Sequence, residues 1–271
     1  MLLGAHQTAS AFGPAAHAYI ASHLFDSTHP SALFAAALPD FNGAFRSSRE
    51  AGSYMKRATH YEFELLESTP FSAAFATHNN AWGADAVAHA YFVPDAPDNY
   101  VTQKLRELSE RSGITMHQAE DLFDAALDMA IARDVGPALG KQLCASASAS
   151  GGEEEEILVR AYAAPLAEAA GLTVDDAVLQ IRWAFRCMKS VMMAYGNLLQ
   201  KDLTLHRPIA VYGCARFFGW STAEATRHLN DALDLARDWQ PALDEIVEAL
   251  RSEMSGNSNY APYLFEVDKL R

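Results

Sequence analysis

From Thr173 to Gln200 the apolar side chains fall at Val178, Ile181, Phe185, Met188, Val191, Met192 and Tyr195. Recurrence at three and four residues is the signature of a helix that buries one face, and a buried stripe of that length demands partner helices along it. The remaining sequence offers them in the same form. Alanine, leucine and glutamate are abundant and β-branched runs are scarce, so the expected fold is all-α, a multi-helix bundle. Pro14 opens a helix running to about Phe25, and Thr115 with Gln118 forms a capping box ahead of a helix to about Arg133. Ser221 with Glu224 forms a second box, opening a final helix to about Ser252 with a break near Trp239 and Pro241.

At 271 residues the chain is long enough for one sizeable core, and a single helical domain over residues 1–271 is the simplest organisation. Residues 145–156, reading ASASASGGEEEE, are expected as an exposed low-complexity loop. Their acidic end could equally be the first turn of the following helix, where carboxylates suit the N-terminal dipole. A net charge of −13 opposes broad attraction to nucleic-acid backbones or anionic membranes. Cys144, Cys187 and Cys214 show no CxxC spacing, which gives neither a disulfide framework nor a thiolate knuckle and fits a reducing compartment. The N-terminus lacks the basic and apolar regions of a secretory leader, and no 18-residue apolar run is present, so the expected location is cytoplasmic, with no transmembrane segment. Oligomeric state has no sequence signal. Residues 257–271 mix Tyr260, Tyr263, Leu264 and Phe265 with Pro262 and are expected to pack back over the bundle.

The functional signal is the crowding of seven of the ten histidines, His6, His17, His23, His29, His60, His78 and His89, into the first 89 residues. Imidazole is the commonest zinc ligand, and catalytic zinc sites mix it with carboxylates. His17 lies in a small, apolar helical phrase. Asp40 follows Pro39 at the end of a small apolar run, Phe34 to Leu38, where a buried carboxylate is costly unless it pairs or binds a cation. His60 and Glu64 would share a face at i,i+4 on a helix, as would Asp85 and His89. Any one of these histidines taken alone is as readily a core residue hydrogen-bonded to a carbonyl.

In order, a helical His17 followed by Ile20-Ala21, an apolar run closing on Pro39-Asp40, Thr59-His60, and a Gly-containing segment carrying Asp85 and His89 resemble the zinc-dependent phospholipase C family, whose fold is shared by single-strand-specific zinc nucleases. The resemblance covers roughly residues 12–100. It implies a helical bundle of that type, metal ligation by His17, Asp40, His60 and His89, and phosphoric ester hydrolysis. The chain departs from the family pattern at Val93, where a bridging aspartate is expected; Asp85 is the favoured substitute and Asp95 the other. The downstream Pro-x-His is replaced by Pro97-Asp98-Asn99, the later His-x3-Glu pair is missing, and His6 is the candidate for the family's N-terminal ligand. One or two zinc ions are therefore expected instead of three, with iron or manganese as alternatives. Asp40 is the candidate base or bridging ligand. Glu64 is placed with it in the catalytic set, to hold the far nitrogen of a histidine. Arg46, Arg49, Lys56 and Arg57 are candidates to clamp a phosphate. The expected substrate is a small phosphorylated molecule or a lipid head group; a metal-binding protein without catalysis, or a purely structural helical domain, are the alternatives.

Overall fold

The computed structural model describes residues 12–45, 49–88, 99–201 and 203–265. Among them there is no strand, and twelve α-helices pack as a bundle. Two sizes of helix occur. The first five are short: α1 (Pro14–Leu24), α2 (Ala32–Ala37), α3 (Arg49–Tyr61), α4 (Pro70–Ala76) and α5 (Ala84–Ala88). Two 3-10 turns, Leu38–Ala44 and Phe63–Leu65, are set between them. Those that follow are as long as α3 or longer: α6 (Tyr100–Ser112), α7 (Met116–Ala149), α8 (Gly152–Ala170), α9 (Val174–Leu199), α10 (Leu203–Phe218), α11 (Thr222–Leu235) and α12 (Gln240–Ser255).

The long helices begin where side chains satisfy their first N–H groups. Thr115 and Ser221 each accept from the third residue on, Gln118 and Glu224, whose side chains reach back to the cap N–H groups, so both expected capping boxes are present. Thr173 caps α9 through the Asp176 N–H, and Pro241 sits in the first turn of α12 after the break at residues 236–239.

Residues 145–156 are not the exposed loop expected of them. Helix α7 runs unbroken through Ala149, and α8 starts at Gly152 with Glu153, Glu154 and Glu155 in its first turn. Glu154 accepts the Gly151 N–H at 2.8 Å. The alternation of small residues that looked like low complexity is helical because α7 is flanked closely: Ser146 is buried and its hydroxyl accepts the Phe34 N–H at 2.9 Å. Nearby, a Cβ on Gly140 would lie 2.4 Å from the Gly196 carbonyl oxygen, so α7 and α9 approach to backbone contact. A larger residue in this seam would push the two longest helices apart. Nor does α7 stop near Arg133 as expected: it continues with Pro137, an exposed residue, inside it.

One contiguous hydrophobic core runs from Phe12 to Tyr260 and draws on both groups of helices. The segment after α12 returns to it. Tyr260 is buried, Phe265 donates its N–H to Leu24 at 2.7 Å, and the Tyr263 hydroxyl donates to Ser68. Among the described residues no single helix is long and apolar enough to cross a membrane.

Candidate metal centre

The short helices carry the site. Helix α1 is buried on nearly every side, so His17 points into the protein whichever way the helix is turned. Its orientation is fixed from a distance: Asp128 of α7 accepts the N–H groups of Ala15 and Ala16 at 3.3 and 3.1 Å and the hydroxyl of Tyr195. That carboxylate does for α1 what a local cap does for other helices, because Gly13 at the N-cap has no side chain to do it.

Asp40 lies in the 3-10 turn Leu38–Ala44, which is tied to α3 through Thr59, whose hydroxyl lies 3.1 Å from the Pro39 carbonyl. His60, on the last turn of α3, sets its Nδ1 2.9 Å from the Lys56 carbonyl oxygen. His78 follows α4 and sets its Nδ1 3.0 Å from the Ala36 carbonyl oxygen of α2. Asp85 opens α5, and its N–H faces the His78 carbonyl at 3.3 Å. The turn between them is wound around Asn79, whose side-chain oxygen accepts from Ala81, Trp82 and Gly83. At Gly83 a Cβ would fall 2.5 Å from the Asn79 backbone. Only glycine closes this turn, and the turn is what brings His78 and Asp85 together.

These five side chains converge. His17 Nε2 is 3.7 Å from Asp85 Oδ1; His60 Nε2 is 3.6 Å from Asp85 Oδ2 and 3.7 Å from Asp40 Oδ1. His78 Nε2 is 3.3 Å from Asp85 Oδ2 and 3.7 Å from Asp40 Oδ1. The imidazoles of His17 and His78 stack with centroids 4.0 Å apart. Two overlapping ligand sets result, His17/His78/Asp85 and Asp40/His60/His78, with His78 in both. Zinc bonds of about 2.0–2.2 Å in tetrahedral geometry imply ligand separations of about 3.3–3.6 Å, which the measured spacings match closely. The spacings are too long for good hydrogen bonds. Nε2 of all three histidines and both oxygens of Asp85 have no hydrogen-bond partner although they are buried. Such groups are rarely left so in a native protein, and cations held by the two overlapping sets would satisfy them. With Nδ1 of His60 and His78 directed at carbonyls, Nε2 of each faces inward, the orienting contact common to metal-binding histidines.

The electrostatics fit the same reading. Burial, with His78 beside it, lowers His17 to about 3, so it is neutral and ready to ligate. Burial would also depress His78, but Asp85 and Asp40 outweigh it and push its pKa up to about 9. Burial raises both carboxyls; His78 and its neighbouring histidines overcome this and hold Asp40 and Asp85 below the usual carboxylate range. A protonated His78 faces two ionised carboxylates, so the cavity stays net negative and a metal cation can take the place of that proton. On α7 behind it, Asp124 is pushed well up by burial and by the carboxylates Glu120, Asp121, Asp128 and Asp85. Asp40 alone of the five reaches solvent, with 23% of its side chain exposed against 2% or less for the others.

Four of the positions picked from sequence, His17, Asp40, His60 and Asp85, are thus brought together. His89, Asp95, His6 and Arg46 lie outside the described residues. Glu64 is a correction: α3 ends at Tyr61, so Glu64 shares no helical face with His60, and it is exposed in the next 3-10 turn. The far nitrogen of His60 is directed at the Lys56 carbonyl instead. Arg57 faces outward and pairs with Glu62 at 3.1 Å. His78 was not singled out in advance, although Ala76-Thr77-His78 repeats Ala58-Thr59-His60. In both copies the threonine hydroxyl donates to a carbonyl of the preceding turn, Met55 and Ala74 respectively, and the histidine follows at the helix end.

Comparison with protein families, with curated proteins and with solved structures gives no match for this chain.

Proposed function

We propose that the His/Asp cluster is a divalent metal centre and that the protein is a metal-dependent phosphoric ester hydrolase of the kind the zinc-dependent phospholipase C resemblance implies. The observation that carries the metal is the set of five inward-facing, buried donor atoms without partners; the reaction class rests on the resemblance. His17, His78 and Asp85 hold one cation, and Asp40 and His60, with His78 or Asp85 shared, hold that cation or a second. Three imidazoles with two carboxylates suit zinc, with iron and manganese accepted by the same donors. Zinc, when bound, polarises a phosphoryl oxygen and acidifies a water. Asp40 has the catalytic position: it remains ionised, it reaches solvent, and its carboxylate can accept a proton or orient an incoming water. A small phosphorylated molecule or a lipid head group approaches from its side.

The near-complete burial of the other four side chains favours one second reading, a metal centre that holds the five short helices together without turnover. Two measurements separate the readings. Elemental analysis of the purified chain, before and after zinc reconstitution, is expected to give one or two equivalents of metal; less than a tenth of an equivalent in both overturns the metal centre. Zinc-loaded protein is expected to hydrolyse bis(p-nitrophenyl) phosphate, with loss on Asp40→Asn. Full metal content with no hydrolysis selects the structural reading.

A further inference from the structure

A second feature stands apart from the histidine cluster. The C-terminal ends of α6 and α11 meet the middle of α7 and the start of α10 around an open cleft of about 580 Å³, within the size range of small-molecule sites. Four arginines line it, Arg111, Arg133, Arg207 and Arg237, against two aspartates, Asp231 and Asp234. For a chain of net charge −13 with only 21 basic residues, this is a marked concentration of positive charge. Buried Met129 and the side of Leu233 give the cleft an apolar wall.

The guanidinium groups are held in place yet remain available. Arg111 bonds Asp231 and Asp234, each at 3.1 Å, and Arg237 bonds Asp234 at 3.0 Å. Arg133 makes two 2.7 Å bonds to Asp134, which is itself fixed by the Trp239 indole N–H at 2.8 Å. Among the described residues the partner of Arg207 is the amide oxygen of Asn230 and not a carboxylate. Ion pairs at this exposure contribute little, so they position the arginines without consuming their affinity for a stronger anion. Each guanidinium has five donors in a planar fork, and those paired here engage only one or two of them. A phosphate, with several strong acceptor oxygens and more than one charge, is the partner that four guanidinium forks lining one cleft match best.

We propose that this cleft is a metal-independent binding site for a small molecule carrying a phosphate or diphosphate group, with its less polar part against Met129 and Leu233. A small ligand is favoured over a nucleic-acid strand because the chain's net charge of −13 repels a long polyanion. The site lies on a different face of α7 from Asp128, which orients the His17 helix, so the two sites share a helix but no lining residue.

The test is isothermal titration of the full-length, metal-stripped chain with sodium pyrophosphate at 50 and at 200 mM NaCl, two concentrations about fourfold apart chosen for salt sensitivity. Saturable one-to-one binding is expected, weaker at the higher salt. Arg133→Glu/Arg207→Glu is expected to weaken it at least tenfold with far-ultraviolet dichroism unchanged, Arg207→Lys to retain most of it, and His78→Ala to leave it intact. Should the double variant fail to fold, Arg237→Glu, at a side chain 70% exposed, replaces it, with a several-fold loss expected. Absence of binding at millimolar pyrophosphate, binding indifferent to the arginine changes, or binding lost with His78→Ala overturns the proposal. So does a single-stranded oligonucleotide that binds through the same arginines more tightly than pyrophosphate.

Discussion

Residues 12–88 and residues 99–265 contribute to one core by opposite means. The later segment uses long helices whose ends are closed by their own neighbours, Thr115 with Gln118 and Ser221 with Glu224, and whose apolar stripes face inward. The earlier one uses five short helices, of which α4 is capped by its own neighbour, Thr69 accepting the Ser72 N–H, whereas α1 and α2 have no side-chain cap. Its elements are pinned by contacts across the chain: Asp128 on α1, Ser146 on Phe34, Thr59 on Pro39, His78 on Ala36. Regular helices make a scaffold cheaply, whereas irregular, externally held pieces can aim five polar side chains at one point.

The contrast can be broken most severely at the centre itself. Because His78 belongs to both ligand sets, His78→Ala is expected to lower zinc affinity by more than the ~10–100-fold typical of losing an outer partner, read by chelator competition. Retention of wild-type affinity would mean that the cluster is not the metal's home. Next in size, Gly83→Ala drives a Cβ into the Asn79 backbone and should cost about 3 kcal/mol in urea unfolding while also loosening metal; an unchanged midpoint would show that the turn is not what closes the site.

Asp128→Ala removes the distant cap of α1 and should cost about 2 kcal/mol, against about 1 kcal/mol for Thr115→Ala at a local cap. The larger loss, coupled to weakened zinc binding in the first variant alone, is the sharpest form of the comparison; equal losses would erase it. The same residue gives a pH signature. Burial raises Asp128 to about 6, despite the hydrogen bonds from Tyr195, Ala15 and Ala16 that favour its anion. The folded state therefore holds this proton more tightly than the unfolded chain does, a contribution fully present below about pH 4 and lost as pH rises through about 6. Asp128→Asn, which does not titrate, should flatten that part of the stability profile relative to the parent chain; an identical slope would refute it.

Legibility in the sequence follows the same division. The capping boxes, the α9 stripe and the break before Pro241 are local patterns and could be read directly. The ASAS tract was misread because its meaning lies in what flanks it: Gly196 behind Gly140, and Phe34 on Ser146. At the site, His17, Asp40, His60 and Asp85 could be picked out as polar residues in apolar phrases, and their order carried the resemblance. Glu64 was misplaced because i,i+4 spacing has meaning only on a continuous helix, and α3 ends at Tyr61. His78 escaped because it follows a helix end and not a helical face; the repeated Ala-Thr-His tripeptide was the available signal. The two phosphate-directed readings draw on different residues altogether, histidines and aspartates in one case and arginines in the other, so either can fail alone.

The hold of Asp128 on the first turn of α1 also sets an order of events during synthesis. The anchor is separated from Ala15 by 113 residues, and Tyr195, which completes it, lies a further 67 residues along. A nascent chain that has exposed every ligand of the cluster still lacks the brace that aims His17. The centre is therefore expected to assemble late, once α7 and α9 have been synthesised, and a fragment ending near residue 100, with all five ligands in its sequence, lacks the Asp128 brace that aims His17.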